Sequence, residues 1–179
     1  GGTLAVGLAK GEIQLWDWQT GTRSTSLSGE WQHTDKINRL LFSKSGYLFS
    51  ASADRQVIIW DWKSGKSIRV IPAHSQPVND IAVTSDGKIL VSCSDDKLIR
   101  VWDLATQRKL YELDSSYFSG SIKAVALSSD DAFLAAGGAS GYLYQWNFLT
   151  SPLPAGDSLQ RRTDIVPVAS RIWSIQYIR

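Results

Sequence analysis

The sequence has little of the chemistry that marks disulfide-linked, metal-binding or cofactor-dependent proteins. Among 179 residues it has one cysteine, Cys93, and two histidines, His33 and His74. A single cysteine excludes an internal disulfide and is typical of a reducing compartment. Two histidines argue against a multi-histidine metal site, and no glycine-rich phosphate loop with its lysine is present. We therefore expect no cofactor and no metal.

Net charge, long apolar runs and methionine are also scarce. The formal net charge is only +2, with no run of like charges, so there is no electrostatic reason to expect nucleic acid or an anionic membrane as a partner. No apolar segment reaches the roughly 18–20 residues that cross a bilayer. The absence of methionine, including at position 1, indicates that the sequence begins inside a longer chain. We expect a cytoplasmic location.

What the sequence does contain is a repeated tryptophan motif. Four times a short apolar run ends in Trp-Asp or Trp-Asn, and the four tryptophans are 44, 42 and 44 residues apart: Trp16, Trp60, Trp102 and Trp146. A period of about 40–45 residues with Trp-Asp is typical of one propeller blade per repeat. Alternating apolar residues between Gly, Asp and Ser turns, with no helical period, predict four short antiparallel strands in each repeat.

These repeats resemble the WD40 family over nearly the whole chain. The resemblance implies an all-β fold, a β-propeller of WD40 type with four-stranded antiparallel meander blades and about four blade-equivalents. The expected repeats are 1–28 (partial), 29–72, 73–114, 115–165 and 166–179. The fourth is predicted to have only a vague outer strand near 158–165. The last is the start of a next repeat or a closing strand, because 172–177 is predicted as a first strand.

The two ends leave two alternatives for the assembly of the blades. In one, the terminal strands meet and close a four-bladed ring. In the other, which the missing methionine and the position of both ends inside predicted strands favour, the chain is an excerpt from an array of about seven blades. Open strand edges at both ends would then allow self-association.

The WD40 resemblance also implies a structural hydrogen-bond tetrad of Trp, Asp, Ser or Thr, and His in well-formed blades. Two repeats match it. The first set is His33, Asp54 and Trp60 with Ser50 or Ser52, and the second is His74, Asp96 and Trp102 with Ser92 or Ser94. Serines two apart share one face of a strand, so the sequence does not choose between them. The repeats around Trp16 and Trp146 depart from the pattern, and we expect them to be less rigid.

A converging Ser, His and Asp also fits a hydrolase, which needs an exposed nucleophile, an oxyanion hole and a pocket. Here the set recurs in successive repeats, each time with a tryptophan donor, as a buried network that fixes blade geometry would. We therefore expect no catalytic residues in this chain.

Aromatic residues in the connections between repeats are candidate partner anchors, since such side chains carry much of the binding energy at interfaces. The candidates are Trp31, Tyr117 and Phe118, with Lys36, Arg55 and Lys97 as a polar rim on the same side. The alternatives are that the rings tuck under their loops and that the charges are only solvated. Trp18 and Trp62, which follow the Trp-Asp pairs, are expected to pack in the core.

The leading functional hypothesis is a non-catalytic protein-protein interaction scaffold that docks other proteins or peptides on its loop rims or in the central opening. It comes from the family resemblance and not from an identified site. The alternative is a sensor or assembly module of a larger signalling enzyme, such as a kinase or NTPase, whose catalytic part lies outside these residues.

Overall fold

A computed structural model describes residues 2–113, 119–148 and 171–177, together with the backbone of residues 161–167. All regular structure in these ranges is β-strand, and the strands form four antiparallel sheets. No helix in the described ranges is long and apolar enough to cross a membrane. The all-β class predicted from the repeats is confirmed.

The four sheets are meanders in which each strand pairs with its neighbours in sequence. The first sheet comprises β1 (Thr3–Gly7), β2 (Ile13–Asp17) and β3 (Thr22–Ser26). The second comprises β4 (Ile37–Phe42), β5 (Leu48–Ser52), β6 (Val57–Asp61) and β7 (Lys66–Ile71). The third comprises β8 (Val78–Val83), β9 (Ile89–Ser94), β10 (Ile99–Asp103) and β11 (Lys109–Leu113). The fourth comprises β12 (Ile122–Leu127), β13 (Phe133–Gly138), β14 (Tyr142–Asn147) and β15 (Arg161–Pro167).

In the second and third sheets the second strand is the most buried part. Every residue of β5 and of β9 is buried, including four serines. In a sheet with one solvent-exposed face, such polar residues would lie on the exposed face. Since buried hydroxyls need hydrogen-bond partners, these strands are where polar networks must form. The strands are joined by tight turns that use left-handed residues, for example Gly46 and Gly87 with φ of 88° and 73°.

The chain divides into two compact units, Gly1–Val78 and Asn79–Arg179. Each has its own buried apolar cluster, as expected when stacked strands bury a core that one sheet cannot bury alone. In the first unit the cluster is Ile13, Leu15, Leu27, Ile37, Leu48, Ile58 and Trp60. In the second unit it includes Ile89, Val91, Cys93, Val101, Ile122, Leu134 and Trp146.

The structure differs from the sequence prediction in the last repeat. The described outer strand of the fourth sheet is Arg161–Pro167, two residues longer at its end than the expected 158–165, of which 158–160 lie outside the described residues. The segment 172–177, predicted as a first strand, forms no regular strand. In the other sheets a first strand pairs with the second strand of its own sheet, and among the described residues the segment 172–177 belongs to no sheet. Its Ile172 N–H still donates to Gly138 O at 3.1 Å, just as Ile37 N–H donates to Leu8 O at 3.2 Å.

The expectation of core packing was wrong for Trp18, which is 65% exposed. The matching Trp62 is half-buried and meets the ring of Phe42 at the end of β4. The described part of the first sheet has no strand that corresponds to β4. Trp18 therefore has no counterpart of Phe42 to cover it.

Candidate functional site

A buried polar network crosses the second sheet. The indole Nε1 of Trp60 donates to Ser50 Oγ at 2.8 Å, and Ser50 Oγ lies 2.7 Å from His33 Nε2. The other imidazole nitrogen, Nδ1, lies 2.7 Å from Asp54 Oδ2. Trp60 and Ser50 are 1% and 0% exposed, so solvent does not compete for these bonds. The structure thus joins four of the residues that the sequence predicts for the first tetrad.

The network has a consistent donor and acceptor order. An ionised carboxylate accepts only, so His33 Nδ1 donates to Asp54. In the neutral imidazole Nε2 then accepts from the Ser50 hydroxyl, whose oxygen in turn accepts from Trp60. Every polar side-chain atom of this hydrogen-bond network has a partner, which a buried network needs if it is to stabilise the fold.

Asp54 holds its charge within this network. Burial is the largest single influence and would raise the pKa of its carboxyl, but the interaction with His33 together with backbone hydrogen bonds outweighs it. The N–H groups of Thr34 and Gln56, which donate at 3.0 Å each, add to the effect. The pKa of Asp54 is therefore lower than its ordinary value of 3.8.

The third sheet repeats part of this arrangement. Trp102 Nε1 donates to Ser92 Oγ at 3.0 Å, and Ser92 is fully buried. Asp96 accepts from the Leu98 N–H at 3.1 Å and faces the Arg100 guanidinium at 3.7 Å. His74 is buried, and its backbone N–H donates to Arg55 O at 3.2 Å.

The alternative serines of each pair close the turn instead of binding the tryptophan. Ser52 Oγ accepts from the Asp54 N–H at 3.1 Å and donates to Asp35 O at 3.0 Å. In the same way Ser94 Oγ accepts from the Asp96 N–H at 3.1 Å. Ser50 and Ser92 are therefore the serines that accept from the tryptophans.

The repeat around Trp16 has no such acceptor. Leu4 pairs with Trp16 as Leu48 pairs with Trp60, so Val6 stands at the position of Ser50. The indole N–H of Trp16 is buried and donates to no partner in the described structure. The repeat that departs from the sequence pattern therefore leaves a donor unsatisfied, which costs about 1–3 kcal/mol for a buried group.

Arg55 and Lys97 occupy strained positions in the turns between second and third strands. Their φ angles are 75° and 68°, in the left-handed region, and both side chains are exposed. The matching positions of the other two repeats hold Gly11 and Gly141, with φ of 86° and 72°. Glycine adopts this conformation without steric cost and other residues do not.

The remaining partner candidates have different surroundings. Lys36 is exposed, and its carbonyl accepts from the Ala53 N–H at 2.9 Å, which places it beside the turn of Arg55. Trp31 is half-buried, and its side chain packs against the apolar cluster of the first unit. Its backbone N–H donates to Ser67 Oγ at 3.1 Å. Tyr117 and Phe118 lie outside the described residues.

Sequence reasoning missed two asparagines that link first strands. Asn38 Nδ2 donates to Val78 O, and Asn79 Nδ2 donates to Ile122 O, each at 2.8 Å. Both asparagines directly follow the first residue of their strand, one repeat apart. The sequence signal for this role is that asparagine recurs as the second residue of β4 and of β8.

Cys93 is fully buried, and burial raises the pKa of its thiol well above the ordinary range, with a further contribution from the charge of Asp80. The thiol is thus a protonated core group and not a nucleophile. Within the described ranges, no three His, Cys, Asp or Glu side chains are placed to hold a metal ion.

Comparison with known proteins identifies the repeats. The family model "WD domain, G-beta repeat" matches residues 23–61, 65–103 and 108–147. Each match starts on or next to the outer strand of one sheet and ends with the third strand of the next. The chain is 32% identical over 144 residues to "Cilia- and flagella-associated protein 52" of Chlamydomonas reinhardtii, which covers 77% of this chain and 22% of that protein.

Two further similarities extend this result. Over 104 residues the chain is 35% identical to "WD repeat and SOCS box-containing protein 1" of Takifugu rubripes, covering 56% of this chain and 24% of that protein. A chain in the crystal structure of a mitotic checkpoint complex superposes with a TM-score of 0.81 at 24% identity, over 97% of this chain and 50% of that one. The chain spans less than a quarter of the length of either relative. With three matched repeats and this fold, it belongs to the WD40 family of WD-domain, G-beta-type repeats and has the WD40 β-propeller fold.

Proposed function

We propose that the chain is a non-catalytic protein-interaction scaffold that presents short turns on rigid sheets to a protein or peptide partner. The observation that carries the proposal is the conformation of Arg55 and Lys97. Two repeats place an exposed cation where the other two place glycine, and holding a side chain there costs about 1–2 kcal/mol. Strained residues of this kind cluster at binding sites.

The buried network supports a structural role for the Ser, His and Asp set. Ser50 is 0% exposed, its oxygen accepts from the Trp60 indole, and a nucleophile must instead reach its substrate. We infer that His33, Ser50, Asp54 and Trp60 form the tetrad of the second sheet. For the third we propose His74, Ser92, Asp96 and Trp102. On this proposal neither set is catalytic.

The comparisons favour proteins as partners. One solved structure with this fold is a chain of a mitotic checkpoint complex, and one relative is named for a SOCS box beside its WD repeats. The chain spans 22% of the cilia- and flagella-associated relative and 24% of the SOCS-box relative, so in those two proteins the matching repeats are part of a longer chain. This also leaves open the alternative of an assembly module of a larger signalling enzyme.

The test places a photo-crosslinking residue at Lys36, which lies beside the Arg55 turn, and identifies the crosslinked protein by mass spectrometry. The dissociation constant of that protein is then measured for Arg55→Gly and Lys97→Gly. We expect at least a fivefold weaker complex for Arg55→Gly with an unchanged or higher melting temperature, because glycine relieves the left-handed strain. Unchanged affinity in both variants would overturn the proposed role of these turns.

We also propose that the isolated chain self-associates through β1. Within the described residues β1 pairs only with β2, and Leu4 on it is 53% exposed. An unpaired strand edge is a template for another strand. Sedimentation velocity should show a concentration-dependent increase in mass that Leu4→Lys abolishes, whereas a monomer at all concentrations would contradict this.

We further infer a cytoplasmic location and no nucleic acid or membrane partner. The support is the single buried Cys93, the weak net charge of +2 and its even spread. Fluorescence microscopy of the tagged chain tests the location, and retention in a membrane or nuclear fraction would count against it.

A further inference from the structure

One end of the second sheet carries exposed aromatic rings. This end holds the β4–β5 and β6–β7 turns, opposite the turn of Arg55. Phe42 at the end of β4 is 41% exposed, and Tyr47 just before β5 is 43% exposed. The Phe42 ring meets Trp62 edge to face, with ring centroids 5.6 Å apart and planes at 86°. We call Phe42, Lys44, Tyr47, Trp62 and Lys63 the aromatic–lysine patch.

The fold itself does not require these rings. The third sheet is built in the same way and holds aliphatic residues at the matching positions: Val83, Ile89 and Leu104. Ile89 and Leu104 are only 6% and 7% exposed, so an aliphatic side chain fills the space that the sheet offers. The larger rings of the second sheet extend beyond that space to the surface.

The patch carries two exposed cationic side chains, of which Lys63 also contributes to lowering the pKa of the nearby Asp61 carboxyl. Lys63 Nζ lies 5.8 Å from the Trp62 ring centroid, and Lys44 is exposed in the β4–β5 turn. Among the described residues, neither amine forms an ion pair. The turn of the third sheet differs, since Lys88 there lies 3.4 Å from Asp86. Asp61, the carboxylate next to the patch, is held by the N–H groups of Lys63 and Ser64 at 3.1 and 3.3 Å.

We propose that the aromatic–lysine patch docks an acidic peptide segment of a partner protein. An apolar side chain of the peptide packs beside Phe42 and Trp62, and its carboxylates face Lys44 and Lys63. The inference rests on the proposed scaffold function but assigns a second surface to it. An anionic membrane is the less suitable occupant, because polybasic membrane sites carry about 4–8 clustered Lys or Arg residues.

The test uses a displayed library of random eight-residue peptides selected against the 179-residue chain. The comparison is with the double variant Lys44→Glu/Lys63→Glu. A charge-matched control, Lys10→Glu/Arg108→Glu, changes two exposed cationic residues outside the patch. Circular dichroism and melting temperature verify that all three proteins are folded, which exposed turn substitutions should preserve.

We expect selection of peptides with Asp or Glu around an apolar residue. Their affinity should fall at least tenfold in the patch variant and less than twofold in the control. Absence of acidic peptides, or equal loss in both variants, overturns the proposal. Sedimentation with vesicles of 70% phosphatidylcholine and 30% phosphatidylserine tests whether the patch binds an anionic membrane. Vesicle binding that is lost in the Lys44→Glu/Lys63→Glu variant would show that the ligand is a membrane and would overturn the peptide proposal.

The proposals for the Arg55 and Lys97 turns and for the aromatic–lysine patch can be refuted separately. If the crosslinked partner loses affinity in Arg55→Gly while no acidic peptide is selected, the scaffold stands and the patch does not. If acidic peptides are selected and the Arg55 and Lys97 variants bind normally, the docking surface is the patch and not the strained turns.

Discussion

Ser50 joins side chains that lie far apart in the sequence, and its loss should show what the network contributes. Ser50→Ala removes the acceptor of the Trp60 indole and the partner of His33, leaving two buried groups unsatisfied. We expect a loss of about 1–3 kcal/mol in the free energy of unfolding, measured by urea titration with tryptophan fluorescence. The control is Ser45→Ala in an exposed turn, and equal effects of the two substitutions would contradict the account.

The converse experiment supplies a hydroxyl where one is missing. Val6→Thr is nearly isosteric and offers Trp16 Nε1, which is buried without a partner, an acceptor at the position matching Ser50. We expect the first unit to gain about 1 kcal/mol of stability, whereas Val6→Ala should lose stability through its missing methyl groups. A Val6→Thr protein no more stable than the wild type would show that the geometry of the second sheet is not shared by the first.

The depressed pKa of Asp54 makes part of the stability dependent on pH. A carboxyl whose pKa is lower in the folded state than its ordinary 3.8 stabilises the fold above that value and loses this contribution as the pH falls below about 4. Asp54→Asn should therefore be less stable at pH 7, and the difference from the wild type should shrink between pH 5 and pH 2. Urea midpoints at several pH values measure this, and two parallel pH curves would refute it.

At the scale of whole strands, β1 and β4 approach each other closely at one glycine. A Cβ on Gly7 would lie 2.6 Å from Cβ and Cγ2 of Ile37, so Gly7→Ala should cost about 1–3 kcal/mol through overpacking. The matching positions of the next repeat hold Ala51 and Val78, both fully buried. Ile37→Ala removes Cγ1 and Cγ2 of Ile37, which such a Cβ would meet at 3.2 and 2.6 Å, so it should cost less stability in the Gly7→Ala protein than in the wild type, as thermal unfolding measures. Strictly additive effects would mean that the two side chains do not compete for space.

The same elements show how far the sequence predicts the fold. Strands such as Ile37–Phe42, Val78–Val83 and Ile89–Ser94 are predicted to the residue, because period-2 patterning and turn residues agree there. The segment 172–177 has the pattern of a strand but has no paired strand among the described residues. Pattern predicts which residues alternate in burial, whereas a strand also needs a hydrogen-bonded neighbour.

The candidate site is predicted less completely than the fold. Spacing brings His33, Asp54 and Trp60 together but does not distinguish Ser50 from Ser52, since both serines face the same way. Trp18 is exposed because the described part of the first sheet has no strand that corresponds to β4. The local sequence around Trp18 does not reveal this. The exposed rings of Phe42 and Tyr47 become visible only when one repeat is compared with the next.

For the molecule as a whole, the residues that stabilise the fold and the residues proposed to bind partners lie at different positions of the repeats. Buried positions on the second strands hold the hydrogen-bond networks, while the turns at the two ends of a sheet differ between repeats in charge and aromatic content. The central claim is that binding resides in the turns and stability in the networks. On the proposed function, substitutions in the turns should leave stability unchanged, and substitutions in the networks should leave binding unchanged.

The most direct measurement compares Ser50→Ala with Arg55→Gly in the same two assays: affinity for the crosslinked partner at a temperature where both proteins are folded, and free energy of unfolding. The account predicts that Ser50→Ala loses stability by about 1–3 kcal/mol and keeps its affinity. Arg55→Gly should keep its stability and bind at least fivefold more weakly. If affinity instead follows stability in both proteins, or is lost only when Ser50 is replaced, the claim that the buried network is structural is contradicted.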